Sequence, residues 1–283
     1  MPIDHISDTA RWVAVYRAME TARPDAIFRD PFAARLAGAR GEQIVNTLKQ
    51  GRAMAWAMIV RTAVFDEIIL DAAARRGVDT VVNLAAGLDA RPWRLELPAA
   101  LRWIDVDLPE ILAYKTDTLR DERPRCRYEA APTDLTDDAA RRALFARIGA
   151  ESKHALVVTE GLLVYLTEPQ VAALADDLHA QPSFAHWLID LASPRLLAYM
   201  NRSWGKAVTA GNAPFQFAPA TSTDFFAPHG WRATRFLSSM EEAHRLNREM
   251  RGMWLWRFLG RLSSKRKQEE FRRMSAFVLL DRG

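Results

Sequence analysis

The chain has one cysteine, Cys126, in 283 residues. A single thiol excludes an intramolecular disulfide and suits a reducing compartment. Its neighbours Arg125 and Arg127 are the kind that lower a thiol pKa, but no partner histidine is evident, so an inert thiol is expected. No window of ~18 apolar residues occurs, so no membrane-spanning helix is expected. The opening Met-Pro-Ile-Asp-His lacks a basic stretch followed by an apolar one, so no secretory leader is expected and the expected location is the cytoplasm. Neither charge sign dominates: 39 Lys+Arg stand against 35 Asp+Glu, a net charge of +4. The densest basic stretch, Lys265-Arg266-Lys267 with Arg272-Arg273, has no aromatic-interleaved basic strand beside it. It reads as a solvated helix, and no nucleic-acid partner is expected. Internal repeats and low-complexity segments are also absent.

What is present is an ordinary globular composition, 49% apolar and 26% charged. Residues 1–76 contain helical spacing and no strand run. Asp8–Ala22 carries Trp12, Val13, Val15, Tyr16 and Met19. Asp30-Pro31 marks a helix start, with Pro at the first helical position. Gly51 interrupts, and Arg52–Arg76 reads as one long helix stopped by Gly77. This block is expected to be a helical cap.

From Val78 the pattern alternates. Strands are expected at Asp79–Leu84, Arg102–Asp107, Arg127–Ala131, His154–Thr159, Phe184–Leu191, Arg232–Phe236 and Ser275–Asp281. Helices are expected at Ala90–Leu97, Pro109–Leu119, Asp137–Ile148 capped by Thr136, Glu168–Ala180 capped by Thr167, and Ser239–Arg248. The aromatic-rich connection Arg195–Pro228, with Trp204, Phe215, Phe217, Phe225 and Phe226, is long enough to be a lid. Met253–Leu262 reads as an apolar helix, for core packing or a homodimer face. Together these imply an α/β fold: a doubly wound, seven-stranded, mostly parallel sheet (78–192 and 229–283) with an N-terminal helical cap (1–76) and a lid insertion (195–228).

In such sheets ligands bind beyond the carboxyl ends of the strands. The stretch Val81–Lys115 is central there: a strand, the small-residue turn Ala85-Ala86-Gly87, a helix, and a second strand ending on Asp107. Small side chains admit a ligand against the backbone, and an acid ~20 residues on suits a ribose. The turn lacks G-x-G-x-x-G, and Asp107 alone reads equally as a solvated carboxylate. Asp134 can accept from an adenine amino group while Leu135 packs its ring; by itself Asp134 is an ordinary turn residue. Glu160 closes a buried apolar strand, which is costly unless the charge is paired or used. Arg61, on the cap helix, is suited to a ligand carboxylate, or is a surface arginine.

RTAVFDEIILDAAARRGVDTVVNLAAGLDARPWRLELP, WIDVDLPEILAYK, TDL and TEGLLVYLTEPQV, in that order, resemble the leucine carboxyl methyltransferase family, which includes protein phosphatase carboxyl methyltransferases and bacterial polyketide O-methyltransferases. The resemblance runs from about Asp30 to Leu191, and the pairing of L-x-A-G-x-D with V-D-x-P carries it. It implies a class I, Rossmann-like methyltransferase with S-adenosyl-L-methionine as cofactor. Arg61 would hold the cofactor carboxylate, Ala85–Gly87 would pass beneath its methionine part, Asp107 would bind the ribose, Asp134 and Leu135 the adenine, and Glu160 the amino group. Tyr165 would face the acceptor. The family usually has Gly at Ala85 and Thr at Ala90. Thr136 stands where phosphatase-specific members have Arg, which speaks against a protein C-terminus as acceptor.

The expected function is therefore O-methyl transfer, to a carboxylate or other oxygen of a small-molecule, polyketide-like or peptide-like acceptor. A carboxylate is ionised at neutral pH and needs no base, whereas a phenol does. No histidine sits at a predicted strand end beside the acceptor region, although His5 in the cap or His229 after the lid could reach it. The competing classes are a nicotinamide-dependent oxidoreductase and a non-catalytic binding protein of the same fold. No metal site is expected.

Overall fold

The structure is a computed structural model describing residues 7–47, 51–210, 214–250, 252–253 and 264–283. Seven strands form one sheet in the order β3-β2-β1-β4-β5-β7-β6. They are β1 (Thr80–Leu84), β2 (Arg102–Asp107), β3 (Arg127–Pro132), β4 (Ala155–Thr159), β5 (Phe184–Ala192), β6 (Trp231–Ser238) and β7 (Ser275–Arg282). β1 to β5 pair in parallel, and β7 runs antiparallel between β5 and β6.

The helices are α1 (Ser7–Thr21), α2 (Ala33–Thr47), α3 (Ala55–Arg75), α4 (Arg91–Arg94), α5 (Pro109–Thr118), α6 (Asp138–Glu151), α7 (Glu168–His179), α8 (Pro194–Ala210), α9 (Ser239–Arg245) and α10 (Lys265–Arg272). Short 3₁₀ turns lie at Arg52–Met54, Leu163–Tyr165 and Ser222–His229.

The central strands β1 and β4 are buried along their whole length because both faces of the sheet are covered there. Val82, Leu84, Ile104, Val106, Val157 and Ile189 pack against Phe145 and Ile148 of α6 and Leu174 of α7. The alternate positions Val81, Trp103, Leu156, Val158 and Leu188 pack against Val64, Phe65 and Ile68 of α3. The period of two thus survives inside wholly buried strands. α3 is a layer of the sandwich, whereas α1 and α2 lie over the strand ends: Ala14, Val15, Tyr16 and Leu36 pack on Leu88, Ala90, Trp93 and Ile111.

Several local expectations change. α2 begins at Ala33, not Pro31, because Asp30 is drawn inward to bind Arg17 and the Phe32 N–H. The helix expected over Ala90–Leu97 is one turn, since Leu95 is already extended (ψ 149°). α6 is capped by Asp137, whose side chain accepts from the N–H groups of Ala139 and Ala140; Thr136 instead donates to Asp134. α9 stops at Arg245. The connection expected as a lid carries the helix α8 and a 3₁₀ turn. The apolar helix expected over Met253–Leu262 falls, apart from Met253, outside the described residues. The basic stretch lies on α10 and its C-cap Arg273, with Arg273 paired to Glu269 and Arg266 to Glu270. Among the described residues no helix is long and apolar enough to cross a membrane.

Candidate active site

The turn after β1 is fixed to the end of β2 by its backbone. Ala86 N–H donates to Val106 O at 3.2 Å, and Gly87 N–H donates to Asp107 Oδ2 at 2.6 Å. The other Asp107 oxygen accepts from Leu108 N–H at 2.7 Å. Ala85 lies in the left-handed region (φ 52°), which costs an L-residue about 1 kcal/mol. Gly87 has φ 51°, and a Cβ there would meet the Ala10 methyl of α1 at 3.0 Å. Glycine therefore serves the turn and the close seat of the cap together.

Beyond the turn, ions of alternating sign run through the structure. Asp190, in β5, binds Arg61 Nη1 at 3.0 Å. Arg61 Nε binds Glu160 at 3.0 Å, and Glu160 binds Arg91 Nη1 at 2.7 Å. Arg91 reaches Asp89 at 2.7 Å and Asp66 at 2.6 Å. Asp66 binds Arg94 at 2.7 Å, which lies 3.8 Å from Asp30, the partner of Arg17. Arg17 also donates to Leu88 O in the turn at 2.6 Å. Gly161 (φ 69°) lets Arg61 through, since a Cβ there would lie 2.9 Å from Nη1. Asp190 Oδ1 accepts the Gly161 N–H at 2.7 Å, locking β4 to β5.

These pairings set the charge states. Burial works against the charged form of Glu160, but Arg91 and Arg61 outweigh it and hold the carboxyl below the usual range. Burial likewise opposes ionisation of Asp89, and Arg91, Arg94 and Lys115 bring it down to about 2. Asp107 differs: burial wins over the N–H bonds of Gly87 and Leu108 and raises it. Behind the turn, fully buried Lys115 donates to Asp89 O at 3.0 Å and to Asp105 at 2.5 Å, and Asn83 bridges Asp89 and Asp105.

The strand ends and the cap enclose a cavity of about 770 Å³. Arg61, Ala85, Gly87, Asp107, Asp134, Leu135, Glu160 and Tyr165, the residues expected from sequence, all line it. Asp134 is exposed and accepts from Thr136 N–H and Oγ1; Leu135 is half-buried. Tyr165 packs on Phe215 with ring centroids 5.4 Å apart, and burial pushes its hydroxyl up to about 12. Arg61 is no surface residue: it is 8% exposed. Reading the sequence missed Arg91 and Arg17. The D-A-R spacing of Asp89 and Arg91 was the available signal.

Among the described residues no histidine lines the cavity, and His229 Nδ1 is bound to Asp176 at 2.7 Å. His5 lies outside the described residues. Cys126 gains nothing from its arginine neighbours: it is buried, and burial pushes its thiol up to about 11. No cluster of His, Cys, Asp and Glu able to hold a metal occurs among the described residues.

A family model, leucine carboxyl methyltransferase, matches residues 10–179. A protein of Mycobacterium avium (strain 104), provisionally named an S-adenosyl-L-methionine-dependent methyltransferase, is 33% identical over 267 residues, covering 86% of this chain and 87% of that protein. A protein of Parafrankia sp. (strain EAN1pec), also provisionally so named, is 38% identical over 183 residues, covering 61% of this chain and 58% of that one. The match thus spans less than two thirds of that relative's length. In fold, the chain is similar to the crystal structure of a DUF574 family protein from Streptomyces avermitilis MA-4680, with a TM-score of 0.61, 12% identity, and coverage of 95% of this chain and 97% of that one. A provisionally assigned methyltransferase from Thermobifida fusca YX gives a TM-score of 0.57 at 11% identity, covering 100% and 96%.

Proposed function

The chain belongs to the leucine carboxyl methyltransferase family, and we propose that it transfers a methyl group from S-adenosyl-L-methionine to a carboxylate oxygen of a small-molecule acceptor. The residues at the strand ends fit that cofactor. Asp107 and Glu160 each use one bond per oxygen internally, and a carboxylate oxygen has a second lone pair to offer. Arg61 engages acids through Nε and Nη1, and Nη2 makes no hydrogen bond among the described residues. Asp107 would hold the ribose, Arg61 and Glu160 the charged methionine end, and Asp134 with Leu135 the adenine.

Bound there, S-adenosyl-L-methionine supplies a methyl carbon made electrophilic by a positively charged sulfur. The chain's part is alignment and exclusion of water, which can supply ~7–11 kcal/mol of the barrier. Fixed ions serve this well, because they need no reorganisation when charge moves.

The observation that carries the carboxylate reading is the cavity without a histidine among the described residues. Of its carboxylates, Glu160 is tied between two arginines, and the phenol hydroxyls of Tyr16 and Tyr165 are pushed up to about 12. None of these three is poised to take a proton at neutral pH. A carboxylate, with a pKa of ~4, needs none taken. Calorimetric titration tests the cofactor: S-adenosyl-L-methionine should bind and NAD should not. Transfer of radiolabelled methyl to candidate acids and phenols, followed by mild alkali, tests the product. Release of the label as methanol marks an ester; an alkali-stable label would overturn the carboxylate reading.

A further inference from the structure

The cavity changes character away from the strand ends. Among the described residues five methionines line it: Met54, Met58, Met200, Met240 and Met274. They come from the 3₁₀ turn before α3, α3 itself, α8, α9 and the approach to β7. Phe215 joins Met54, Met200 and Tyr165 in one apolar cluster that ties the cap to α8. Methionine is unbranched and polarisable, so a wall built from it adapts to irregular apolar shapes.

Two neutral polar groups beside this wall are engaged with backbone carbonyls, while the buried Trp56 indole N–H has no hydrogen-bond partner among the described residues. The Tyr16 hydroxyl donates to Gly51 O, and Gln216 Nε2 donates to Tyr165 O at 2.8 Å. Among the described residues three arginines line the cavity, Arg17, Arg61 and Arg91, and each is bound to a carboxylate. Five carboxylates line it: Asp89, Asp107, Asp134, Glu160 and Asp190. Among the described residues, three positive charges against five negative leave the lining at −2. An acceptor with a second negative charge would thus meet an apolar wall, no unengaged lining arginine among the described residues, and a negative field. The reacting carboxylate would be drawn to the positively charged sulfur of the bound cofactor, whereas a second charge buried against the methionine wall has no partner, and burying a charge unpaired is strongly disfavoured.

Resting on the carboxylate reading above, we infer that the acceptor is a monocarboxylic acid with an apolar body, an aliphatic or aromatic chain bearing no second charge. Dicarboxylic acids and phosphorylated or nucleotide-linked acyl groups are excluded by the same lining.

The test is calorimetry on the whole chain, first with S-adenosylhomocysteine alone, then, with it saturating, with hexanoic, octanoic, decanoic and dodecanoic acids and with decanedioic acid. Affinity should rise about fourfold per methylene, the equivalent of ~0.8 kcal/mol. Decanedioic acid should bind about a hundredfold more weakly than decanoic acid. A flat series, or equal binding of the two ten-carbon acids, overturns the inference. The first titration separates the two readings. If S-adenosylhomocysteine does not bind but the acids keep their slope without it, the cofactor reading fails and the acceptor inference stands. If it binds and the series is flat, the acceptor inference alone fails. Met200→Lys should narrow the gap between decanoic and decanedioic acid by about tenfold, with melting by circular dichroism reporting the fold; Met58→Lys repeats the test should the first variant not fold. An unchanged gap in a folded variant overturns the inference.

Discussion

Arg91 Nη1 and Glu160 Oε2 meet at 2.7 Å, while the other Glu160 oxygen lies 3.0 Å from Arg61 Nε. One carboxylate thus holds α3 and α4 at the mouth of β4. Glu160→Gln keeps the shape and removes the charge, leaving two buried guanidinium groups short of a partner. Stability should fall by about 3 kcal/mol. Urea unfolding measures it, and an unchanged midpoint would show the clamp to be dispensable.

Asp107 joins the two strand ends through Gly87 and Leu108. Asp107→Asn retains one acceptor and loses the charge. Binding of S-adenosyl-L-methionine should weaken by roughly 10- to 100-fold, the range for hydrogen bonds to a charged group. Calorimetry reads this directly, and wild-type affinity in the variant would remove Asp107 from the cofactor site.

Acid should act through the buried ions. Asp89 and Glu160 have depressed folded values, so their stabilisation is complete above the usual carboxylate range and is lost as pH falls through the folded values, which for Asp89 means about 2. Asp107 has the opposite sign. Its raised value gives a contribution that is present at low pH and lost as pH rises through it. The urea midpoint should therefore drop between about pH 5 and about pH 2. Glu160→Gln should flatten that slope, and parallel curves would count against its share.

Ala85 carries a left-handed backbone that glycine adopts without strain. Ala85→Gly removes about 1 kcal/mol of native strain and raises unfolded-state entropy by a similar amount. Little net change in melting temperature is expected, together with tighter cofactor binding from the closer backbone. Weaker binding in the variant would show that the Ala85 methyl contributes to the contact.

Lys115 and Asp105 are both fully buried and 2.5 Å apart. Lys115→Met strands the Asp105 charge and should cost about 3–5 kcal/mol. Lys115→Met combined with Asp105→Asn should recover part of it. A double variant no better than the single would mean that the pair is not a unit.

The strands and their boundaries were legible in the sequence because an apolar run bounded by turns has few alternatives. β2 matches its expected bounds, and the antiparallel β7 was visible as SAFVLLD. The pocket residues were legible through strand ends and through the L-x-A-G-x-D and V-D-x-P pairing. The alternating ions were not. Arg61 meets partners 99 and 129 residues away, and no local pattern encodes such a meeting. Arg91 looked like one more charge on a short helix until Asp66, Asp89 and Glu160 converged on it. Thr167 caps α7 as expected, but the Thr136 cap failed for a related reason: Thr136 and Asp137 are both good caps by type, and geometry chose between them.

The antiparallel β7 has a consequence for the order of events during synthesis. β5, which carries Asp190, has β7 as its outer neighbour, and His186 of β5 meets Asp281 of β7 across 95 residues of chain. Domains fold from the N-terminus as they emerge, and such distant pairings close last. A ribosome-stalled chain ending before Ser275 should therefore fail to retain S-adenosyl-L-methionine, although every residue assigned to its binding has already been translated. Retention by such a stalled chain would show that the site matures without β7.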